Sequence, residues 1–259
     1  MATFLFDKII FGPVKSRRLG VSLGINLLPT DSKVCTFNCI YCECGWTPKS
    51  YDSKVSLPGM DEVKLRLEEI LQKMSAERGL PDVITFAGNG EPTLHPQFAE
   101  IIDSTIELRD LYAPKARIAV LSNASVLHKK KVFEALLKVD DNIQKLDSAF
   151  EKTVQLMDSP RITFNLNNVV AQLKSFNGKV IIQTLFLKGS YKGQIVDNTT
   201  SEEVSAWLKL LQEINPGQVM IYTIERDTPV DGLEKVKPDI LNEIAAKVRE
   251  AGFEVQVSA

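Results

Sequence analysis

From about residue 80 onward the chain alternates short apolar runs, rich in β-branched and aromatic residues, with segments of helical period. That alternation folds as successive βαβ units around a parallel sheet. The predicted main strands are Ser22–Leu28, Val83–Ala87 (entered through the turn pair Leu80-Pro81), Ile118–Leu121, Ile143–Leu146, Val180–Leu187 and Val219–Ile224, with a short terminal strand at Phe253–Val257. Between the first two, Asp61–Met74 sets Val63, Leu67, Ile70 and Leu71 on one face with charges opposite, and Asp61 is placed to cap it. Similar stripes occur in Ala99–Leu108, Lys131–Leu137, Arg161–Phe176, Glu202–Ile214 and Asp239–Ala251, the last closed by Gly252 as a C-cap. The resulting β/α units fit either a doubly wound sheet or a partial barrel, and period alone does not separate the two.

No Pro/Gly/Ser-rich linker interrupts the 259 residues, so the expectation is one domain over 1–259, with 1–20 as an N-terminal extension bearing Lys15, Arg17 and Arg18. A composition that is 44% hydrophobic and 25% charged excludes disorder, and a formal charge of −2 calls for no polyanionic partner. No apolar run approaches the eighteen or so residues that span a bilayer, and Met1–Gly12 lacks the pattern of a secretory signal. A cytoplasmic protein without membrane contact is expected. Polar groups gather at or near the carboxyl ends of the strands: Asn89-Gly90-Glu91, Ser122-Asn123, Asp147-Ser148, Gln183 and Thr223-Glu225. In either architecture that is the end where ligands bind.

All four cysteines lie between 35 and 44, too close together to staple distant parts of a fold, so a metal site is the better reading. Cys35, Cys39 and Cys42 form C-x3-C-x2-C just after the first strand, where a loop can wrap three thiolates around one cluster. Iron–sulfur clusters usually take four cysteines, so a trio leaves one iron open to a small molecule. Zinc held by Cys35, Cys39, Cys42 and Cys44 is sterically awkward in ten residues. Thioredoxin-like exchange through Cys39 and Cys42 would leave the other thiols unexplained. Cys44 reads as a spare thiol of the loop.

These residues resemble the radical S-adenosylmethionine (radical SAM) superfamily, whose hallmark is C-x3-C-x-aromatic-C, with Tyr41 in the aromatic place. Ala87-Gly88-Asn89-Gly90-Glu91-Pro92 looks like the superfamily's glycine-rich loop that receives the methionine amino group. A narrower likeness, over nearly the full length, runs through Phe11–Gly20, Ser22–Asn26, Gly88–Pro96, Ile182–Phe186 and Ile221–Thr223. It points to a group of prokaryotic proteins related to the wyosine-base synthases that modify guanosine beside the tRNA anticodon. The second cysteine set that those synthases carry upstream of the hallmark is absent. The resemblance implies a partial (β/α)6 TIM-like barrel, a [4Fe–4S] cluster on Cys35, Cys39 and Cys42, and S-adenosylmethionine cleaved reductively to a 5′-deoxyadenosyl radical. It also implies an electron donor such as flavodoxin or ferredoxin.

Each further candidate has two readings. Gly88 and Gly90 permit close backbone approach, to a ligand or in an ordinary turn. Glu91 can accept from an ammonium or be a solvated acid. Ser122 and Asn123 can meet the cofactor or cap the following helix. Gln183, in an apolar strand, needs a partner for its amide, from ribose or from backbone. Asp147 is a candidate for ribose or substrate, and His95 most simply serves the turn ending at Pro96. Arg17 and Arg18 suit an anionic substrate, against an ion pair with acids such as Glu225. The leading expectation is therefore a radical SAM enzyme, an iron–sulfur oxidoreductase or lyase that abstracts hydrogen from an organic substrate. A tRNA-modifying enzyme and a non-catalytic metal-binding or redox-sensing protein are the alternatives.

Overall fold

The computed structural model describes residues 4–48 and 56–259, so the first three residues of the expected N-terminal extension lie outside the described residues. Eight strands form one sheet path: β1 (Ile10–Ser16), β2 (Gly20–Ile25), β3 (Val83–Phe86), β4 (Arg117–Ser122), β5 (Asp141–Lys145), β6 (Ile181–Tyr191), β8 (Gln218–Thr223) and β10 (Val255–Ser258). Neighbours from β2 to β10 run parallel, and β1 pairs antiparallel with β2. Two short strands, β7 (Gln194–Asp197) and β9 (Glu234–Lys235), pair antiparallel with the far end of β6. Helices α1 (Met60–Ala76), α2 (Phe98–Tyr112), α3 (Lys130–Leu136), α4 (Glu151–Met157), α5 (Leu166–Lys174), α6 (Ser201–Ile214) and α7 (Pro238–Glu250) fill the crossovers. The architecture is a partial α/β barrel, as expected, with the sheet open between β1 and β10.

Alternation along the strands divides the buried residues into two layers. One apolar face, including Ile84, Phe86, Ile118, Val120, Ile182, Val219 and Ile221, packs on helix stripes such as Leu67 and Leu71, Ile101 and Ile102, and Leu241 and Val248. Trp207 on α6 meets Phe186 edge to face, with centroids 5.4 Å apart. The alternate residues Val83, Ala119, Ile143 and Met220 cluster with Leu19 and plug the amino end of the barrel interior. Above that plug the interior turns polar, beginning with the Ser22–Thr85 hydroxyl pair at 2.8 Å.

Several elements differ from the sequence expectation. Residues 10–16 of the extension are an edge strand, and Pro13 is tolerated there because an edge strand needs no full ladder. The turn after it reaches across the opening: Gln256 donates to the Arg18 carbonyl at 2.9 Å, and Arg17 donates to the Ala259 carbonyl at 3.2 Å. Asp61 caps nothing, because α1 begins at Met60 with Gly59 before it. The helical period read over Arg161–Phe176 covers only α5, whose N-cap is Asn165, accepting from the Asn168 N–H at 2.9 Å. Residues 161–164 before that cap are not helical, and Arg161 donates its N–H to the Thr36 carbonyl at 2.8 Å. Gly252 does take the left-handed conformation beyond α7, with φ of +92°.

Buried Asn198, just after β7, braces the chain leaving β5 against the middle of β6. Its amide donates to the carbonyls of Asp147 (2.9 Å) and Leu185 (2.7 Å) and accepts from the Leu187 N–H (2.9 Å). Asn198→Ala should cost about 3 kcal/mol, about one for each buried hydrogen bond. A urea midpoint that falls accordingly, with unchanged slope, checks it, and a loss under about 1 kcal/mol would show the brace to be dispensable.

Candidate functional site

A cavity of about 330 Å³ opens at the carboxyl end of the parallel strands. Cys35, Cys39 and Cys42 line it together with Tyr41, Gly88, Gly90, Glu91, Ser122, Asn123, Gln183, Arg17 and Arg18. A larger hollow of about 570 Å³, between the N-terminal segment and α1, holds no cysteine. The residues that carry chemistry are gathered in the smaller one.

The cysteine loop has no ladder of its own and borrows two. Val34 pairs with Gly90 as an isolated parallel bridge, its N–H reaching the Asn89 carbonyl (2.9 Å) and its carbonyl accepting from Glu91 (3.0 Å). On the other side Phe37 bridges Pro160, and Ile40 donates to the Met157 carbonyl at 2.8 Å. Gly90, at φ of +136°, is required by this contact, since a Cβ there would stand 1.9 Å from the Val34 carbonyl oxygen. A Cβ on Gly88, at φ of +142°, would likewise stand 2.5 Å from the Asn26 Oδ1. The close approach that these glycines permit is thus made first to the protein itself, while both still line the cavity.

Glu91 is buried on the wall. One carboxylate oxygen accepts from the Thr93 N–H and hydroxyl, and the other from the Asn123 N–H at 2.6 Å. Burial raises its pKa, against the pull of those donors. A carboxylate has about four lone-pair sites, so one remains for a cation. Asn123 turns its amide to Thr36 (2.9 Å) and the Cys35 sulfur (3.5 Å), tying the end of β4 to the cysteine loop. Gln183 is the third residue of β6, not its end, because that strand runs on to Tyr191. In register it stands beside Lys145, the last residue of β5, which brings it to the cavity level.

Two expected ligands turn elsewhere. The side chain of Asn89 faces away from the cavity and pins the chain behind it, donating to the carbonyls of Phe6 (2.9 Å) and Pro29 (2.7 Å) and accepting from the Phe6 N–H (2.8 Å). Asp147 is buried beneath the wall: it accepts from Tyr41, Lys145 and, at 2.9 Å, the Leu185 N–H. Those donors occupy it, and it does not line the cavity. Arg17 reaches Glu225 at 3.1 Å, and Lys235 reaches the same carboxylate at 2.6 Å, so the ion-pair reading holds for that arginine. Arg18 lies over the Tyr222 ring, 4.5 Å from its centroid, with no carboxylate in ion-pair reach among the described residues. His95 serves its turn, joining the Pro58 carbonyl (2.9 Å) and the Gln97 N–H (3.1 Å).

Two lysines flank the thiols, Lys33 buried and Lys145 partly so, and neither was expected. Lys145 pairs with Asp147 and with Asp158 (3.0 Å) and lies 4.5 Å from the centroid of the Tyr41 ring. Burial disfavours its charge, but the two carboxylates outweigh that and raise its pKa well above the ordinary value. Burial lifts Asp158 to about 7, against the pull of Lys145. Lys33 donates to the Gly45 carbonyl at 2.8 Å, and the thiols of Cys42, Cys35 and Cys39, in that order, favour its charged form. Among the thiols, burial pushes Cys35 up to about 11 and Cys39 well above its ordinary value. Cys42 is pulled down to about 5, first by the Cys44 thiol, against its burial, and then by Lys33.

A family model described as the Radical SAM superfamily matches residues 30–197. A UPF0026 protein of Methanocaldococcus jannaschii is 30% identical over 92% of this chain and 70% of its own. A protein named GTPase Obg, of Brachyspira hyodysenteriae, is 30% identical over 98% of this chain, which spans only 35% of that protein. Among solved structures, Streptococcus suis SuiB bound to S-adenosylmethionine aligns with a TM-score of 0.63 at 17% identity, over 90% of this chain and 50% of SuiB. TYW1 with a lysine-pyruvate adduct bound aligns at 0.61 with 14% identity, over 88% of this chain and 73% of that one. At those identities the two structures speak to the fold.

The thiol environments differ enough to be read chemically. Cys44 and Lys33 draw Cys42 toward the thiolate, whereas burial holds Cys35 as the thiol. Iodoacetamide given briefly to the metal-free protein should therefore mark Cys42 before Cys35 or Cys39, and Cys44→Ala should slow that labelling. Peptide mass spectrometry checks it, and equal labelling of the three would contradict the assigned polarity.

Proposed function

Since this chain belongs to the Radical SAM superfamily, alongside the UPF0026 proteins, we propose that it is an enzyme that cleaves S-adenosylmethionine reductively and abstracts hydrogen from an anionic organic substrate. The observation that carries the reading is the convergence of Cys35, Cys39 and Cys42 on the cavity that Gly88, Gly90 and Glu91 also line. Among the described residues no three His, Cys, Asp or Glu side chains gather closely enough to hold a single metal ion. Thiols spread around a shared cavity suit a cluster in which each takes a different iron, which favours [4Fe–4S] over zinc. Cys35, Cys39 and Cys42 would hold that cluster, leaving one iron for the methionine end of S-adenosylmethionine. The chemistry supplied by that pair when bound is one-electron cleavage of the sulfonium to a 5′-deoxyadenosyl radical.

The protein's own part is placement. Glu91 offers its remaining lone pair to an ammonium, and its three donors hold the carboxylate in that aim. Gly88 and Gly90 keep the wall free of side chains. Gln183 faces the cavity with its amide free of described partners, suited to a ribose hydroxyl. Tyr41, anchored on Asp147, stiffens the loop between Cys39 and Cys42. Lys145 is held as an ammonium by two carboxylates, so it serves charge balance and not nucleophilic attack. Arg18, the guanidinium at the mouth without a carboxylate partner among the described residues, is the substrate-side group and favours a carboxylate or phosphate. A small one-electron carrier such as flavodoxin or ferredoxin would deliver the electron.

A tRNA substrate finds less support. In the run Lys129-Lys130-Lys131, Lys130 faces Glu134 and Lys131 faces Glu100, at 3.8 and 3.4 Å, and Arg17 is committed to Glu225. Steeply salt-dependent tRNA binding would restore that reading.

The deciding experiment is anaerobic reconstitution with iron and sulfide, then dithionite and S-adenosylmethionine, with chromatography for 5′-deoxyadenosine. Wild type should form it and Cys39→Ala should not; a fully loaded four-iron protein that forms none would overturn the proposal. Arg18→Ala should keep substrate-free cleavage within about twofold of wild type, whereas a tenfold loss would assign Arg18 to the cofactor instead.

A further inference from the structure

Lys33 poses a physical problem that its sequence position does not advertise. The residue is 2% exposed, although lysine is almost never fully buried without a partner. Its ammonium has one neutral acceptor, the Gly45 carbonyl at 2.8 Å. Among the described residues no Asp or Glu lies in ion-pair distance of its Nζ, whereas Lys145, across the same cavity, has two. Lys33 lines the same cavity as Cys35, Cys39 and Cys42, so their sulfurs are the groups left to favour its charge against burial. A buried cation is tolerated only when it is compensated, so the compensation falls to these three sulfurs, which are thiolates when they hold a cluster.

Building on the cluster reading above, we propose that Lys33 is a fixed counter-charge that sets the reduction potential of the cluster held by Cys35, Cys39 and Cys42. The argument is electrostatic. An electron accepted from a one-electron donor adds negative charge to a centre already bearing three thiolates. A neighbouring ammonium stabilises the reduced form more than the oxidised one, and the interaction is strong because water is excluded. The potential is therefore raised toward the reach of the donor. The Gly45 carbonyl matters because it holds the ammonium in place; an unanchored lysine would swing its charge to solvent. The other flank cannot do the same work, since the carboxylates of Asp147 and Asp158 offset the charge of Lys145.

The test is an EPR-monitored redox titration of the reconstituted protein with and without a neutral residue at 33. Lys33→Met should shift the ratio of reduced to oxidised cluster at fixed potential by at least about tenfold toward oxidised, a fall of about 59 mV for one electron. Lys33→Arg should stay near the wild-type potential. A role confined to folding would lower iron content or melting temperature without moving the potential, which is read only from the loaded fraction. If Lys33→Met loads poorly, Lys33→Gln, which keeps a donor for Gly45, is titrated in its place. Should both neutral variants lose the cluster, Lys33→Arg decides: wild-type potential supports the charge role, and loss of cluster overturns it. An unchanged potential in a loaded neutral variant overturns the proposal while leaving the cluster reading standing. Failure of the wild type to assemble any four-iron cluster overturns both.

Discussion

The site depends on the pairing of an irregular loop with the ends of regular strands. From Asn26 to Gly59 the chain has no strand or helix among its described residues, yet the cysteine segment within it is largely buried. Buried backbone polar groups require partners. Val34 finds them on the glycine loop after β3, and Phe37, Asn38 and Ile40 find them on the chain that leaves α4. The thiols are thereby fixed between two crossovers of the barrel. This explains why Gly90 cannot carry a side chain: the seam with Val34 is closer than any Cβ permits. Glycine at that position serves the wall of the cavity and the anchoring of the metal loop by one and the same contact.

A second consequence is the separation of charge around the thiols. Cys39 lies toward Asp158 and Lys145, whereas Cys42 faces Lys33 and Cys44. Burial pushes Cys35 and Cys39 up, while Cys42 alone is pulled down. The Lys145 flank is also mechanical, since Asp147 reaches the β6 backbone and Tyr41 reaches Asp147. Removing one member of such a network would leave buried charges uncompensated, which costs more than the pair contributes intact.

Much of this was legible in the sequence, for identifiable reasons. The β/α alternation was strong because buried parallel strands are continuously apolar and the helices show one stripe each. The cysteine spacing and the Gly88–Glu91 loop were local signals, and local signals survive without coordinates. What escaped depended on long-range partners. Ile10–Ser16 falls in what the sequence presents only as an N-terminal extension, and its edge position makes it a strand despite Pro13. Strands β7 and β9 are too short and too polar to show a period. Lys33 looks like any surface lysine until its burial is seen. Asn89 and Asp147 sit where ligands are expected, and only the positions of Phe6, Pro29 and Tyr41 show that their side chains are already engaged.

The rim carries the same logic to the substrate side. Arg226 is joined to Glu43 at 2.6 Å, linking the chain after β8 to the cysteine loop, and Arg17 and Lys235 share Glu225. These pairs are partly exposed, so they contribute little to stability. Their effect is to remove charges of both signs from the mouth. Arg18 is left unneutralised by them, its guanidinium lying over the Tyr222 ring while its carbonyl is fixed by Gln256. An arginine anchored at backbone and ring loses little freedom on binding an anion. The turn that closes the barrel opening therefore also presents its one uncommitted cation to whatever enters the cavity. Closure of the fold and the charge left at the mouth are set by the same three residues, Arg17, Arg18 and Leu19, two of them at the rim and the third in the interior plug.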